Sequence, residues 1–272
     1  MKLKTTIFLT VLLSVSATAF GQKEPVKTTT ETKPKTEAKT VETKPVETKT
    51  PVVTMPTVKE ILAKYVQAIG GRTAYEKIKT RVTKGTQDIP AAGIKGTFET
   101  YAAAPNKSVN KAVIGGIGEF LDGFDGQKAW TINPIQGSRD KTGEELLQAK
   151  MTYDFYREIN LEKVYPKMEL KGTEKVGASD AYVIVATPDT LPSETFYFDT
   201  KSGLLVRTDA TLVTPEGKTP TKNFLEDYRE IDGVKMPFRV RTILPQFELI
   251  VTTTEVKNNA AVEDSMFAKP AK

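Results

Sequence analysis

The sequence predicts a mainly β protein with some α: a long curved antiparallel sheet, a half-open barrel, partly closed by helices. Three observations predict it. Segments with an alternation period of two recur about ten or eleven times after residue 79. The links between them are short and carry turn pairs such as Asp125-Gly126 and Asp232-Gly233, which favours antiparallel neighbours over helical crossovers. Helical periodicity is confined to residues 57–78 and 142–160. A long antiparallel sheet must curl, close or be covered, and these two stretches are the available cover.

The elements follow in order. Residues 1–4 are a short basic start, and residues 5–20 are an apolar and small-residue run. Ala19-Phe20-Gly21 then presents small residues to a signal peptidase, with Ala17-Thr18-Ala19 as a second site. The run is shorter than the ~20 residues a membrane span needs. Residues 1–21 therefore read as a cleaved export signal, which places the mature protein in the periplasm or another extracytoplasmic compartment. Residues 22–55 hold seven Lys and five Glu among Thr, Pro and Val, with no aromatic residue. This composition predicts a disordered linker.

Residues 56–272 read as a single domain. Thr57 with Glu60 forms a capping-box pattern, and Val58, Ile61, Leu62, Tyr65, Val66 and Ile69 recur at helical spacing up to Gly70-Gly71. Residues 72–78 suggest a second short helix. Strand patterns cover 93–101, 108–114, 119–124 and 128–132, with loops at 115–118 and 134–141. In 142–160, Leu146, Leu147, Met151, Phe155 and Ile159 share one helical side. Strand patterns resume at 167–175, 180–187, 194–198, 204–212, 221–228, 235–244 and 247–256.

Composition narrows the chemistry. The chain has 272 residues, no Cys and no His. That excludes disulfides, a thiol nucleophile, c-type haem attachment and a Cys/His zinc site. Net charge is +5, but residues 56–272 carry 30 basic and 29 acidic groups. No nucleic-acid partner is expected from so even a balance. Ser138-Arg139-Asp140-Lys141 and Lys141-Thr142-Gly143 imitate β-lactamase motifs, yet one lysine would have to serve in both. Gly115-Gly116-Ile117-Gly118 lacks the helix and Gly-Lys-Ser/Thr of a phosphate loop. Asp122 with Asp125, and Asp227 with Glu230, lack calcium-loop spacing. No enzymatic activity, catalytic residue, metal or cofactor is expected.

Twenty of the 22 aromatic residues lie in 56–272. Phe98, Phe120, Trp130, Leu147, Met151, Phe155 and Phe198 are candidates to line a hydrophobic ligand cavity. A packed core has the same sequence signature, because only an unfilled concavity separates the two.

Several stretches together carry a family resemblance. They are Tyr65-Val66-Gln67-Ala68-Ile69-Gly70-Gly71, Gly93-Ile94-Lys95-Gly96-Thr97-Phe98-Glu99 and Ala104-Pro105-Asn106-Lys107. Further on come Gly123-Phe124-Asp125-Gly126-Gln127-Lys128-Ala129-Trp130, then Tyr197-Phe198-Asp199-Thr200-Lys201-Ser202-Gly203-Leu204-Leu205-Val206-Arg207, and the run from Asp227 to Pro237. In their order the sequence resembles exported acidobacterial proteins of the periplasmic lipoprotein-carrier-like (outer-membrane lipoprotein-sorting-like) superfamily. The resemblance implies a half-open barrel with helices over its concave side. It also implies a carrier or binder of a lipid, a lipoprotein acyl chain or another hydrophobic ligand. The implied partners are a hydrophobic small molecule or a lipidated protein. The alternative is a non-catalytic accessory or interaction subunit of a cell-envelope complex, with an envelope protein as partner. Some similar proteins carry c-type cytochrome domains, but this chain has no residues to hold that haem. In a carrier, the segment 142–160 is expected to act as a lid over the open side.

Overall fold

In a computed structural model of the protein, residues 55–271 are described. The expected export signal and, apart from Met55, the expected linker lie outside the described residues. The chain begins with α1 (Val58–Ala68) and α2 (Arg72–Glu76). A six-strand meander follows: β1 (Thr80–Ile89), β2 (Ile94–Ala103), β3 (Lys107–Ile114), β4 (Gly118–Phe124), β5 (Ala129–Asn133) and β6 (Gly137–Asp140). Next come α3 (Gly143–Thr152) and α4 (Leu161–Val164). Seven strands complete the fold: β7 (Lys167–Val176), β8 (Ser179–Thr187), β9 (Glu194–Asp199), β10 (Leu205–Thr214), β11 (Gly217–Ile231), β12 (Val234–Ile243) and β13 (Glu248–Asn258).

All thirteen strands join one antiparallel sheet in the order β6-β5-β4-β3-β2-β1-β13-β12-β11-β10-β9-β8-β7. The two meanders meet where β1 pairs with β13, and a register shift at Lys84/Gly85 bends the junction. β6 and β7 end the order unpaired with each other, so the curved sheet stays open.

Local chemistry explains the helix that enters the hollow. The Thr57 side chain accepts from Glu60 N at 3.3 Å, and Glu60 Oε2 accepts from Thr57 N at 2.7 Å. Ile61, Leu62 and Tyr65 form the buried stripe. The helix stops at Gly70, φ +113°, where a Cβ would meet Gly233 O at 2.1 Å. Only glycine fits there. Lys235 N then donates to Ile69 O at 2.8 Å, which fixes α1 to the β11–β12 turn.

Two expectations need correction, and the span 80–89, to which no element was assigned, is a strand. Residues 137–140, read as part of a loop, form the edge strand β6. The helix expected over 142–160 ends at Thr152 and gives way to a 3-10 turn (Arg157–Ile159) and then α4. The helical spacing persists beyond Thr152, but the Phe155 amide donates to Pro105 O at 2.9 Å in the β2–β3 turn instead of to its own helix. Among the described residues no helix is long and apolar enough to cross a membrane.

Candidate ligand-binding site

The inner face of the sheet is the one the helices cover. On the β7–β11 half, Tyr65 of α1 tilts against Phe198 with ring centroids 5.1 Å apart. This contact belongs to a core of Ile61, Leu62, Ile69, Ile184, Phe196 and Leu205. On the β2–β6 half, Tyr153 at the end of α3 stacks on Phe124 at 6.1 Å. Paired residues share a face, so the register extends each face strand by strand.

Between these contacts lies a second apolar cluster of the inner face: Ile89, Ala112, Ile114, Phe120, Leu244, Phe247 and Leu249, with Phe98 and Val251 packed against it. Among the described residues its members come from β1–β4, β13 and the adjoining turns, and none from a helix.

A polar row crosses the same face. Thr83, Thr100, Asn110, Asp122, Thr131 and Arg139 occupy successive paired positions on β1 to β6. Thr100 Oγ1 bonds Asn110 Oδ1 at 2.6 Å, and Asn110 Nδ2 reaches the Tyr153 hydroxyl at 3.4 Å. Tyr153 donates to Asp122 Oδ1 at 2.7 Å, which also accepts from Lys141 Nζ at 2.7 Å. Burial pushes the Tyr153 hydroxyl well above the usual phenol range, helped by the charge of Asp122, so it remains a donor.

These contacts clamp α3 across the open side. Arg139 makes a bidentate pair with Glu145 at 2.7 and 2.8 Å. Gln148 bonds both Thr211 O and Val213 N of β10, at 2.8 and 2.9 Å. Lys218 meets Glu144 at 2.8 Å. Ala149 is the only fully buried residue of the helix. The helix is held to both halves of the sheet mainly through polar groups.

The seven residues selected from sequence do not form one lining. Phe98 and Phe120 lie together in the helix-free cluster. Met151, Phe155 and Phe198 join the core beside α1. Trp130 faces the other side of the sheet: it is 1% exposed, packs with Val109 and Phe267, and donates from Nε1 to Phe267 O at 3.2 Å. Its cross-strand partner is Gly123, where a Cβ would meet the indole at 2.3 Å, so the ring lies flat over the glycine. Leu147 is 39% exposed. The expected stripe is thereby divided, with Leu146 packed near Phe124 and Ile159 beside α1.

Sequence reasoning missed a buried charge cluster beside α1. Arg157 donates to Glu194 Oε2 at 2.8 Å and to the Tyr165 hydroxyl, and lies 3.4 Å from Glu158. Tyr65 donates to Glu158 at 2.5 Å. Burial opposes the Arg157 charge, but Tyr165, Glu194 and Glu158 around it hold the guanidinium protonated. Burial pushes Glu194 up to about 7; Arg157 partly offsets this and Glu158 adds to it. Nothing in the local pattern of Arg157 and Glu194 signals their meeting, since 37 residues separate them.

Two grooves flank α1. One, of about 390 Å³, is lined by Leu62, Tyr65, Arg72, Glu158 and Leu161. The other, of about 350 Å³, is lined by Ile61, Lys64, Tyr182, Phe198 and Gly203. Among the described residues no group of three or more carboxylates is placed to hold a metal ion.

No protein-family profile matches this sequence, and no curated protein does. Solved structures do match. A DUF1329 family protein from Desulfovibrio piger aligns at 14% identity with a TM-score of 0.54, covering 78% of this chain and 97% of that one. A LolA superfamily protein, NE2245 from Nitrosomonas europaea, aligns at 14% identity with a TM-score of 0.53, covering 79% and 99%. With its open antiparallel sheet and the helices across its inner face, this chain shares the fold of those two proteins.

Proposed function

We propose that the protein is an extracytoplasmic carrier or binder of a hydrophobic ligand, acting by binding without catalysis. The observation that carries this reading is the apolar cluster on the inner face, with Phe98 and Phe120 among its members, to which no helix among the described residues contributes. Burying an acyl chain on such a surface is worth ~0.8 kcal/mol per CH₂. The polar clamp on α3 suits a lid, because hydrogen bonds and ion pairs are exchanged for water at little net cost. A fold shared with a LolA superfamily protein supports the same reading. The export signal expected at residues 1–21 supplies the compartment, and the linker at 22–55 a tether for a single domain over 56–272.

The accessory-subunit reading draws less support. An edge strand invites partner strands when flat and apolar. The edge strand β7 instead carries Lys167, Glu169 and Lys171 in exposed ion pairs.

The direct test is native mass spectrometry of protein purified gently from its own envelope, joined to uptake of a fluorescent fatty-acid analogue. Co-purified lipid and saturable uptake are expected. Repeated recovery free of lipid, with no uptake, would refute the carrier reading.

A further inference from the structure

β6 and β7 are not paired with each other, and α3 bridges the β4–β6 side of the sheet to β10–β11. Its two attachments differ in kind. On the β4–β6 side both ends of the helix are tied to one carboxylate. Lys141, just before α3, and Tyr153, just after it, each donate to Asp122 Oδ1 at 2.7 Å. The Lys141 backbone N donates to Ala129 O at 2.8 Å. Leu146, Ala149 and Tyr153 pack with Phe124 and Ala129 of β4 and β5. Parting on this side would strand a buried charge and expose apolar surface.

The β10–β11 side is held by bonds that water can replace. Glu144 and Lys218 meet with 43% and 50% of their side chains exposed, so solvent screens the pair. Gln136 Nε2 donates to Glu216 Oε1 at 2.7 Å, also at the surface. Two further bonds come from one side chain. β10 pairs with β9 only as far as Asp209, and beyond it that edge has no strand neighbour among the described residues. The Gln148 amide occupies the edge: Nε2 donates to Thr211 O at 2.8 Å, and Oε1 accepts from Val213 N at 2.9 Å. Exchanging that amide for water carries little net cost. A crevice of about 20 Å³, room for one water, lies among Gln148, Ala149, Thr152 and Val213. Gly143 begins the helix at φ +56°, and a Cβ there would meet nothing within 4 Å, so this position can absorb a change in backbone angle.

Building on the carrier reading, we infer that α3 is a door hinged on β4–β6 and latched to β10–β11. It turns about the line from Lys141 to Tyr153, Gln148 leaves the β10 edge, and the hydrophobic ligand passes through the seam so opened. Asp122 and Phe124 keep their contacts with the helix segment in both states.

The test follows uptake of a fluorescent fatty-acid analogue by the full chain in stopped flow. The chain has no cysteine, so Glu144→Cys with Lys218→Cys supplies its only two thiols. A short bismaleimide joins them across the seam, and the same variant blocked with N-ethylmaleimide is the control. The tether is expected to slow uptake about tenfold or more against that control, because it removes the open state. Gln148→Leu takes away both bonds to β10 and is expected to speed uptake roughly tenfold, the effect of one to two hydrogen bonds. It carries the test by itself should the cysteine variant fail to fold. Equal rates with and without the tether, or an unchanged or slower rate in a Gln148→Leu protein that melts cooperatively, overturn the seam and leave the carrier reading standing. No uptake by the wild type overturns both.

Discussion

Replacing Lys141 with Met tests whether α3 is held by its polar clamp. The Lys141 and Asp122 side chains are only 7% and 5% exposed and meet at 2.7 Å. Without the ammonium, Asp122 stays buried with the Tyr153 hydroxyl as its remaining donor among the described residues. Leaving one partner of a buried pair uncompensated costs roughly 3–5 kcal/mol. At about 2–4 °C per kcal/mol for a chain of this size, the melting temperature should fall by about 6–20 °C. Little apolar burial opposes the loss, because Ala149 alone in α3 is fully buried. Lys141→Met combined with Asp122→Asn removes the stranded charge and keeps an acceptor for Tyr153. The double variant should return to within about 1 kcal/mol of the wild type. Urea unfolding gives the free energies, and hydrogen exchange locates them. Protection should drop first in residues 143–165 and only later in β9–β12. A single-variant cost below about 1 kcal/mol, or a double variant no better than the single, would refute the clamp.

Three other outcomes follow from the geometry. Because Glu194 is pushed up to about 7 from an ordinary value of 4.5, the folded chain keeps a proton that the unfolded chain has lost between those values, so its contribution to stability declines as pH rises through that window. Glu194→Gln should flatten the difference in melting temperature between pH 5 and pH 8; an unchanged slope would remove Glu194 as its source. Phe267→Ala uncovers the single tryptophan, Trp130, and should shift its emission to the red at a cost of about 3–5 kcal/mol; a blue, unchanged spectrum would mean that another group shields the indole. Phe155→Ala removes a partly buried ring set edge-on to Tyr156 at 5.2 Å, and chemical denaturation should show a loss of about 2 kcal/mol, below that of a fully buried phenylalanine.

How far the sequence reveals the fold depends on where polar residues sit. Strands such as β2 and β7 are legible because Ile94 and Phe98, or Met168 and Leu170, alternate with Lys95, Thr97 and Glu99, or with Lys167, Glu169 and Lys171. β1 escapes the same reasoning: its inner-facing Arg81, Thr83, Gly85 and Gln87 are as polar as its outer-facing Lys84, Thr86 and Asp88. A polar interior row erases the alternation that marks a half-buried strand. β6, Gly-Ser-Arg-Asp, is short, polar and at an edge, and is specified by its pairing with β5. The site is legible in part for a related reason. Phe98 and Phe120 are recognisably apolar strand residues, but which face each occupies depends on register, and Trp130 falls on the opposite one.

The sequence by itself determined the antiparallel class, the capped entry helix with its stop at Gly70, and the turns at Asp125-Gly126 and Asp232-Gly233. These are local matters of backbone conformation, capping and hydrophobic period. Only the tertiary structure decided that β1 closes against β13, that the middle helix ends where Phe155 gives its amide to Pro105, and that Arg157 meets Glu194. It also decided that Thr208, Asn223 and Thr242 line up in a buried row. Each of these joins groups far apart in the chain, and their partners are selected by which surfaces the curved sheet brings together, a quantity no local pattern of residues encodes.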